Sequence, residues 1–151
     1  MQSVLVIGYG NSLRGDDGIG VAVAEQLDRI LQNSPVSTRI LACQQLTPEL
    51  ASEMSKANRV IIVDAAKGET PGQITIKKIQ PDDYSSTFTH DLQPSTLLAC
   101  ARELYEKSPV TYLVSVTGDS FGFSDELSDT LKRVMPEVLT RVRELIDQRD
   151  Q

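Results

Sequence analysis

Histidine is almost missing from this sequence. His90 is the only imidazole among 151 residues, so any triad or metal site that needs one has a single candidate. Cysteine is scarce too. Cys43 and Cys100 stand far apart and form no C-x-x-C pair. Without a cysteine framework they read as small apolar fillers in a reducing, cytoplasmic setting. Basic clusters are lacking: no run of Lys and Arg exceeds two residues, and the net charge is −6. That argues against nucleic acid and against anionic membrane surfaces as partners. No apolar run approaches the length of a membrane span, and an apolar strand pattern begins almost at Met1. Neither a membrane anchor nor a leader peptide is therefore expected.

What is present is ordinary globular composition, 40% hydrophobic and 24% charged, enough for a single domain over 1–151 with a real core. Strand and helix patterns alternate. Val4–Ile7 reads as a buried strand, and Ile19, Val23, Leu27 and Leu31 recur every four residues on one face of a helix over 18–31. Thr38–Ala42 is a second strand after the break at Pro35. Thr47-Pro48-Glu49 has the residues of a helix start. Arg59–Val63 is a β-branched run of the central-strand kind, ending at Asp64. Gln73–Ile79 alternates like a strand with one wetter face, and Pro81–Thr89 is polar and irregular. Pro94–Tyr105 reads as a helix and Val110–Val116 as the last strand. A strong three–four apolar stripe from Leu131 to Ile146 predicts a final helix, with Pro136 expected to kink it, break it or mark a restart. Strands separated by helices predict an α/β protein: a three-layer α/β/α sandwich around a mostly parallel twisted sheet of about five strands.

The loop after the first strand carries the most chemical information. Gly8, Gly10 and Gly15 make a turn between strand and helix, which is the shape of a phosphate cradle. The dinucleotide fingerprint fails, because Leu13 occupies its third glycine position. The P-loop fails as well, because Asp16 and Asp17 stand where its Lys and Ser/Thr belong, and a carboxylate there repels phosphate. No nucleotide is expected. Capping of the helix explains one aspartate but not two.

In parallel α/β sheets, ligands bind beyond the carboxyl ends of the strands. Asp17 follows the first strand and Asp64 ends the central one, so both belong to that edge. His90 lies in a loop just before a helix, "FTHDLQP". Two aspartates and one imidazole suit a divalent metal such as nickel, zinc or manganese, and spacing does not choose among them. Architectural readings stand beside this one. A strand-terminal aspartate often caps a turn, and a lone loop histidine is more often a surface residue than a ligand.

The stretches "VLVIGYGNSLRGDDGIGVAVAEQL" and "VIIVDAA", followed by a histidine ahead of a helix, resemble the [NiFe]-hydrogenase maturation endopeptidases. The resemblance runs over essentially the whole chain, and the G-x-G-N-x-L-x-x-D-[DE]-x-x-G opening is its most specific part. It implies an α/β/α fold. It also implies an endopeptidase that removes a C-terminal extension from a [NiFe]-hydrogenase large-subunit precursor once nickel is in place. The nickel would be supplied by the substrate, and the family's sensing residues, matched by motif, fall on Asp17, Asp64 and His90. Many members carry D-G-G-T after the second strand. Here that segment is Ala42-Cys43-Gln44-Gln45-Leu46, a departure resembling the branch that serves bidirectional, NAD(P)-linked hydrogenases. Gln44, Gln45 and Leu46, with Asp16 in the preceding acidic position of the opening motif, are the candidates for reading the substrate. The competing classes are a metal-dependent docking module that cuts nothing and a nucleotide-binding α/β domain.

Overall fold

The computed structural model describes residues 3–34, 36–81 and 92–148. Pro35, the polar stretch 82–89 and His90 lie outside the described residues. Strands β1 (Ser3–Tyr9), β2 (Ser37–Cys43), β3 (Arg59–Ala66), β4 (Ile74–Ile79) and β5 (Val110–Thr117) form one sheet in the order β2-β1-β3-β5-β4. Every pairing is parallel except that of β4, which runs antiparallel to β5 at the edge. Helices α1 (Ile19–Ile30), α2 (Leu50–Ser55), α3 (Pro94–Tyr105) and α4 (Asp129–Asp147) complete the expected α/β architecture.

Strand alternation divides the core between two faces. Val4, Val6, Ile61 and Val63 point to one face, where Val23 and Leu27 of α1 and Val138 and Val142 of α4 bury against them. Leu5, Ile7, Val60 and Ile62 point to the other, against Met54 of α2 and Leu97, Leu98 and Ala101 of α3. The central strands are therefore apolar on both sides, as a sheet covered by helices on both faces requires. Among the described residues no helix is long and apolar enough to cross a membrane.

Helix α1 lies unusually close to the sheet. A Cβ on Gly8 would stand 1.9 Å from the carbonyl oxygen of Gly20, and one on Gly20 would stand 2.3 Å from that of Val63. Two glycines facing each other across the helix–strand contact thus let backbone meet backbone.

Several boundaries differ from the sequence reading. Strand β3 does not stop at Asp64; Ala65 and Ala66 continue it by pairing with Val116 and Thr117 of β5. The helix start at Thr47 begins as a turn, with Leu50 N–H donating to the Thr47 carbonyl, and regular helix follows only from Leu50. Pro136 does not break α4, which runs unbroken across it. The buried stripe of Leu131, Met135, Val138, Val142 and Ile146 anchors both sides of the proline. The carbonyl that Pro136 leaves without a helical donor belongs to Lys132, an exposed residue, where water can serve it.

Candidate functional site

The sheet order places β1 between β2 and β3, and the chain reverses its direction of winding there. A crevice opens at such a switch point, beyond the carboxyl ends of the two strands. Two short segments furnish it: the loop after β1, and the last residues of β3.

The loop after β1 is bent by Gly10, whose φ of +145° suits only glycine, and a Cβ there would lie 2.0 Å from the Asp17 carbonyl. The bend brings the Asn11 N–H to within 2.7 Å of the Asp17 carboxylate. The backbone donor that a phosphate cradle would offer to its ligand is therefore turned onto the chain's own carboxylate. The Asn11 side chain accepts from Leu13 N–H at 3.0 Å and holds the turn. Asp17, half-buried on the 3-10 turn Gly15–Gly18, has its second oxygen free of hydrogen bonds among the described residues.

Asp64 is gripped from both neighbouring strands. Ser115 of β5, its partner in register, donates its hydroxyl to Oδ1 at 2.7 Å. The Tyr9 hydroxyl at the end of β1 donates to Oδ2 at 3.1 Å. Burial raises the Asp64 carboxyl above the usual range, the two hydroxyl donors pull it back, and the nearby charge of Asp17 pushes it up again. Burial, then the charge of Asp64, drives the Tyr9 phenol far above its ordinary value, with Asp17 adding to the effect. Tyr9 therefore stays protonated and acts as a donor.

Asp17 and Asp64 thus come within each other's field at one edge of the sheet, as their places in the sequence suggested. Among the described residues no three His, Cys, Asp or Glu side chains gather into a metal site. Helix α3 packs on the same face of the sheet as Tyr9 and Cys43. Its far end feeds β5 through 106–109, so its first turn lies toward the edge that carries Asp64. Leu92, just ahead of that turn, is the first residue described after the stretch containing His90.

The other candidates divide. Gln44 and Gln45 are exposed at the end of β2. Gln44 shares with Gly10, Asn11, Leu13, Glu25 and Cys43 a hollow of about 290 Å³ beside the Asp17 loop. Burial raises the Cys43 thiol, which is free, as is that of Cys100. Leu46 does not face a substrate. It is buried with Leu5, Ile7 and Met54, because an apolar side chain here closes the core beneath the β2–α2 turn. Asp16 is likewise internal, at 0% exposure. Its Oδ2 accepts from Asp119 N–H at 2.7 Å, Ser120 N–H at 3.1 Å and the Ser128 hydroxyl at 2.7 Å, while Oδ1 accepts from Ser128 N–H at 2.7 Å. Burial opposes its ionisation, but these donors overcome it and hold its carboxyl below the usual range. Asp16 fastens the loop after β5 to the loop after β1; it is not presented to a partner.

Sequence reasoning missed Tyr9 and Ser115. Both strands carry other hydroxyl residues, Ser3 in β1 and Thr111, Tyr112 and Thr117 in β5, and only the register brings these two to the level of Asp64.

The family model described as HycI, hydrogenase maturation protease, matches residues 21–145. The chain belongs to the hydrogenase maturation protease family. Hydrogenase 2 maturation protease of Escherichia coli K12 is 29% identical over 154 residues, covering 93% of this chain and 91% of that one. A putative hydrogenase maturation protease of Methanocaldococcus jannaschii is 24% identical over 157 residues, with 94% and 97% covered. Among solved structures, the [NiFe] hydrogenase maturation protease HycI of Thermococcus kodakarensis superposes with a TM-score of 0.79 at 25% identity, over 97% of this chain and 94% of that one. The hydrogenase maturating endopeptidase HybD of E. coli superposes with a TM-score of 0.73 at 26% identity, over 94% and 90%. As a maturation protease of this fold, the protein is a peptidase.

Proposed function

We propose that this maturation protease removes the C-terminal extension of a [NiFe]-hydrogenase large-subunit precursor after nickel insertion, with the substrate's own nickel as the recognition mark. The observation that carries this reading is the incomplete pair of Asp17 and Asp64. Each is fixed by its neighbours, and among the described residues Asp17 keeps an oxygen free of hydrogen bonds. Two fixed carboxylates with His90 suit a nickel ion that arrives already held by the substrate's thiolates. A nickel-free precursor would offer them nothing to bind, so docking itself becomes the check.

Hydrolysis requires a water to be deprotonated near the scissile carbonyl and the leaving amine to be protonated. Asp64 is suited to accept that proton, because burial raises its carboxyl while Ser115 and Tyr9 keep it oriented. The site lies in the cytoplasm, where the precursor is made. The departure at Ala42–Leu46, with Gln44 and Gln45 exposed, supports service to a bidirectional, NAD(P)-linked enzyme.

Intact mass of a nickel-loaded precursor, with nickel-free precursor alongside, tests the proposal. The expected result is loss of a C-terminal peptide in the loaded sample alone. Asp17→Ala, Asp64→Ala and His90→Ala should each lower processing at least about 100-fold, as loss of a group acting directly at a reacting centre does. Normal cleavage by all three variants would overturn the assignment. Association without any mass change would establish the docking-module reading instead.

A further inference from the structure

Phe123 is 90% exposed and Leu13 is 53% exposed. An exposed leucine by itself signifies nothing. A phenylalanine almost wholly in water, on a tightly fastened loop, is another matter. Residues 118–128 leave the carboxyl end of β5, and the loop of Leu13 leaves that of β1, so both stand at the edge that carries Asp17 and Asp64. They are joined by a parallel bridge between Arg14 and Ser124. Ser124 N–H donates to the Leu13 carbonyl at 2.9 Å, and Gly15 N–H donates to the Ser124 carbonyl at 2.9 Å. That register sets Leu13 level with Phe123. Buried Asp16 pins the same loop at Asp119, Ser120 and Ser128. Lys67 braces it further, with its ammonium 5.6 Å from the Phe121 ring centre.

The chain thus spends a buried carboxylate and a backbone bridge on holding an apolar pair out in water. Preorganisation of that kind lowers the entropy lost when a side chain is immobilised at an interface. Charge around the pair is mixed: residues 118–129 carry Asp119, Asp125, Glu126 and Asp129, while Arg14, Lys67 and Lys132 border them. The complement is therefore an apolar socket, on the partner that meets the carboxylates of this same edge.

We infer that Leu13 and Phe123 anchor the protein to the folded body of its precursor substrate, at a surface separate from the carboxylates that meet the metal. This rests on the proposed function for the partner's identity. The anchor supplies affinity for the precursor, and the carboxylates supply the nickel check.

Binding and cleavage measured separately on the same nickel-loaded precursor test it. Phe123→Ser, Leu13→Ser and the double variant are titrated by calorimetry and assayed by intact mass. Phe123→Ser should weaken binding about tenfold or more, as loss of a central aromatic anchor does, and the double variant should weaken it further. Cleavage at saturating precursor should stay within about twofold, and Phe123→Trp should restore most of the affinity. The melting temperature of Phe123→Ser should not move, because that side chain is already almost wholly in water. Binding by Phe123→Ser and the double variant within about twofold of the parent would overturn the anchor while leaving the peptidase reading intact. Weakened binding by variants of a protein that binds but does not cut would support the anchor and overturn the peptidase reading. A parent protein that does not bind the precursor would overturn both.

Discussion

Asp64 shows how three strands combine to set one carboxylate. Tyr9 on β1 and Ser115 on β5 each donate to a different oxygen of a residue on β3. Both donors favour the ionised form, against burial. Tyr9→Phe and Ser115→Ala should therefore raise the Asp64 carboxyl further, moving the acid limb of the pH–rate profile of processing to higher pH. Supporting donors of this kind are typically worth about 10- to 100-fold in activity, and the loss should fall on kcat rather than KM. An unmoved limb would mean that the two hydroxyls serve packing alone. Neither residue could be singled out from the chain, because a tyrosine or serine in a strand is ordinary and only the register brings it to the aspartate. Asp17 and Asp64 were legible because each follows or closes an apolar strand run. Asp16 was not separable from Asp17, because successive residues of a 3-10 turn point about a third of a turn apart. One neighbour goes inward and the other to the crevice.

Among the elements, α1 decides where Asp17 stands. Its seat on the sheet depends on Gly8 and Gly20, with no room for a methyl group at either. Gly20→Ala would force a Cβ within 2.3 Å of the Val63 carbonyl and 2.7 Å of the Tyr9 carbonyl. The helix would have to lift. Urea denaturation should report a loss of about 2 kcal/mol or more, the cost of overpacking against backbone that does not yield. Processing should fall too, since the Asp17 turn is continuous with the helix. Gly122→Ala, with no atom within 4 Å of the added carbon, is the matched control and should change neither. Most elements were legible from period alone: four-residue recurrence for α1, three–four for α4, unbroken apolar runs for β1 and β3. The boundaries that escaped were set by neighbours. Asp64 ends the apolar run, yet β5 continues the ladder two residues further.

Over the whole molecule, Asp16 links the first loop to the last. It joins residues 112 apart through Ser128, which also caps α4 by accepting from Leu131 N–H at 3.3 Å. Its folded-state carboxyl is depressed. The stability it contributes is therefore fully present above the ordinary aspartate value of about 4 and is lost as pH falls through the lower folded value. Asp16→Ala should cost about 3 kcal/mol at pH 7, because several buried donors lose a charged acceptor. Its penalty should shrink in acid, where the parent's carboxylate is also protonated. Denaturation curves at neutral and strongly acidic pH would show the two proteins converging; parallel curves would remove Asp16 from the account of acid stability.

Arg59 opens the central strand fully buried, and its guanidinium donates to the carbonyls of Leu145, at 2.9 Å, and Gln148 at the end of α4. The amino end of the central strand and the last turn of α4 are thereby one structural unit, although 86 residues separate Arg59 from Leu145. Fraying of that helix end would pull on the first residue of the strand, so amide exchange at the two places should slow and quicken together, distant as they are along the chain.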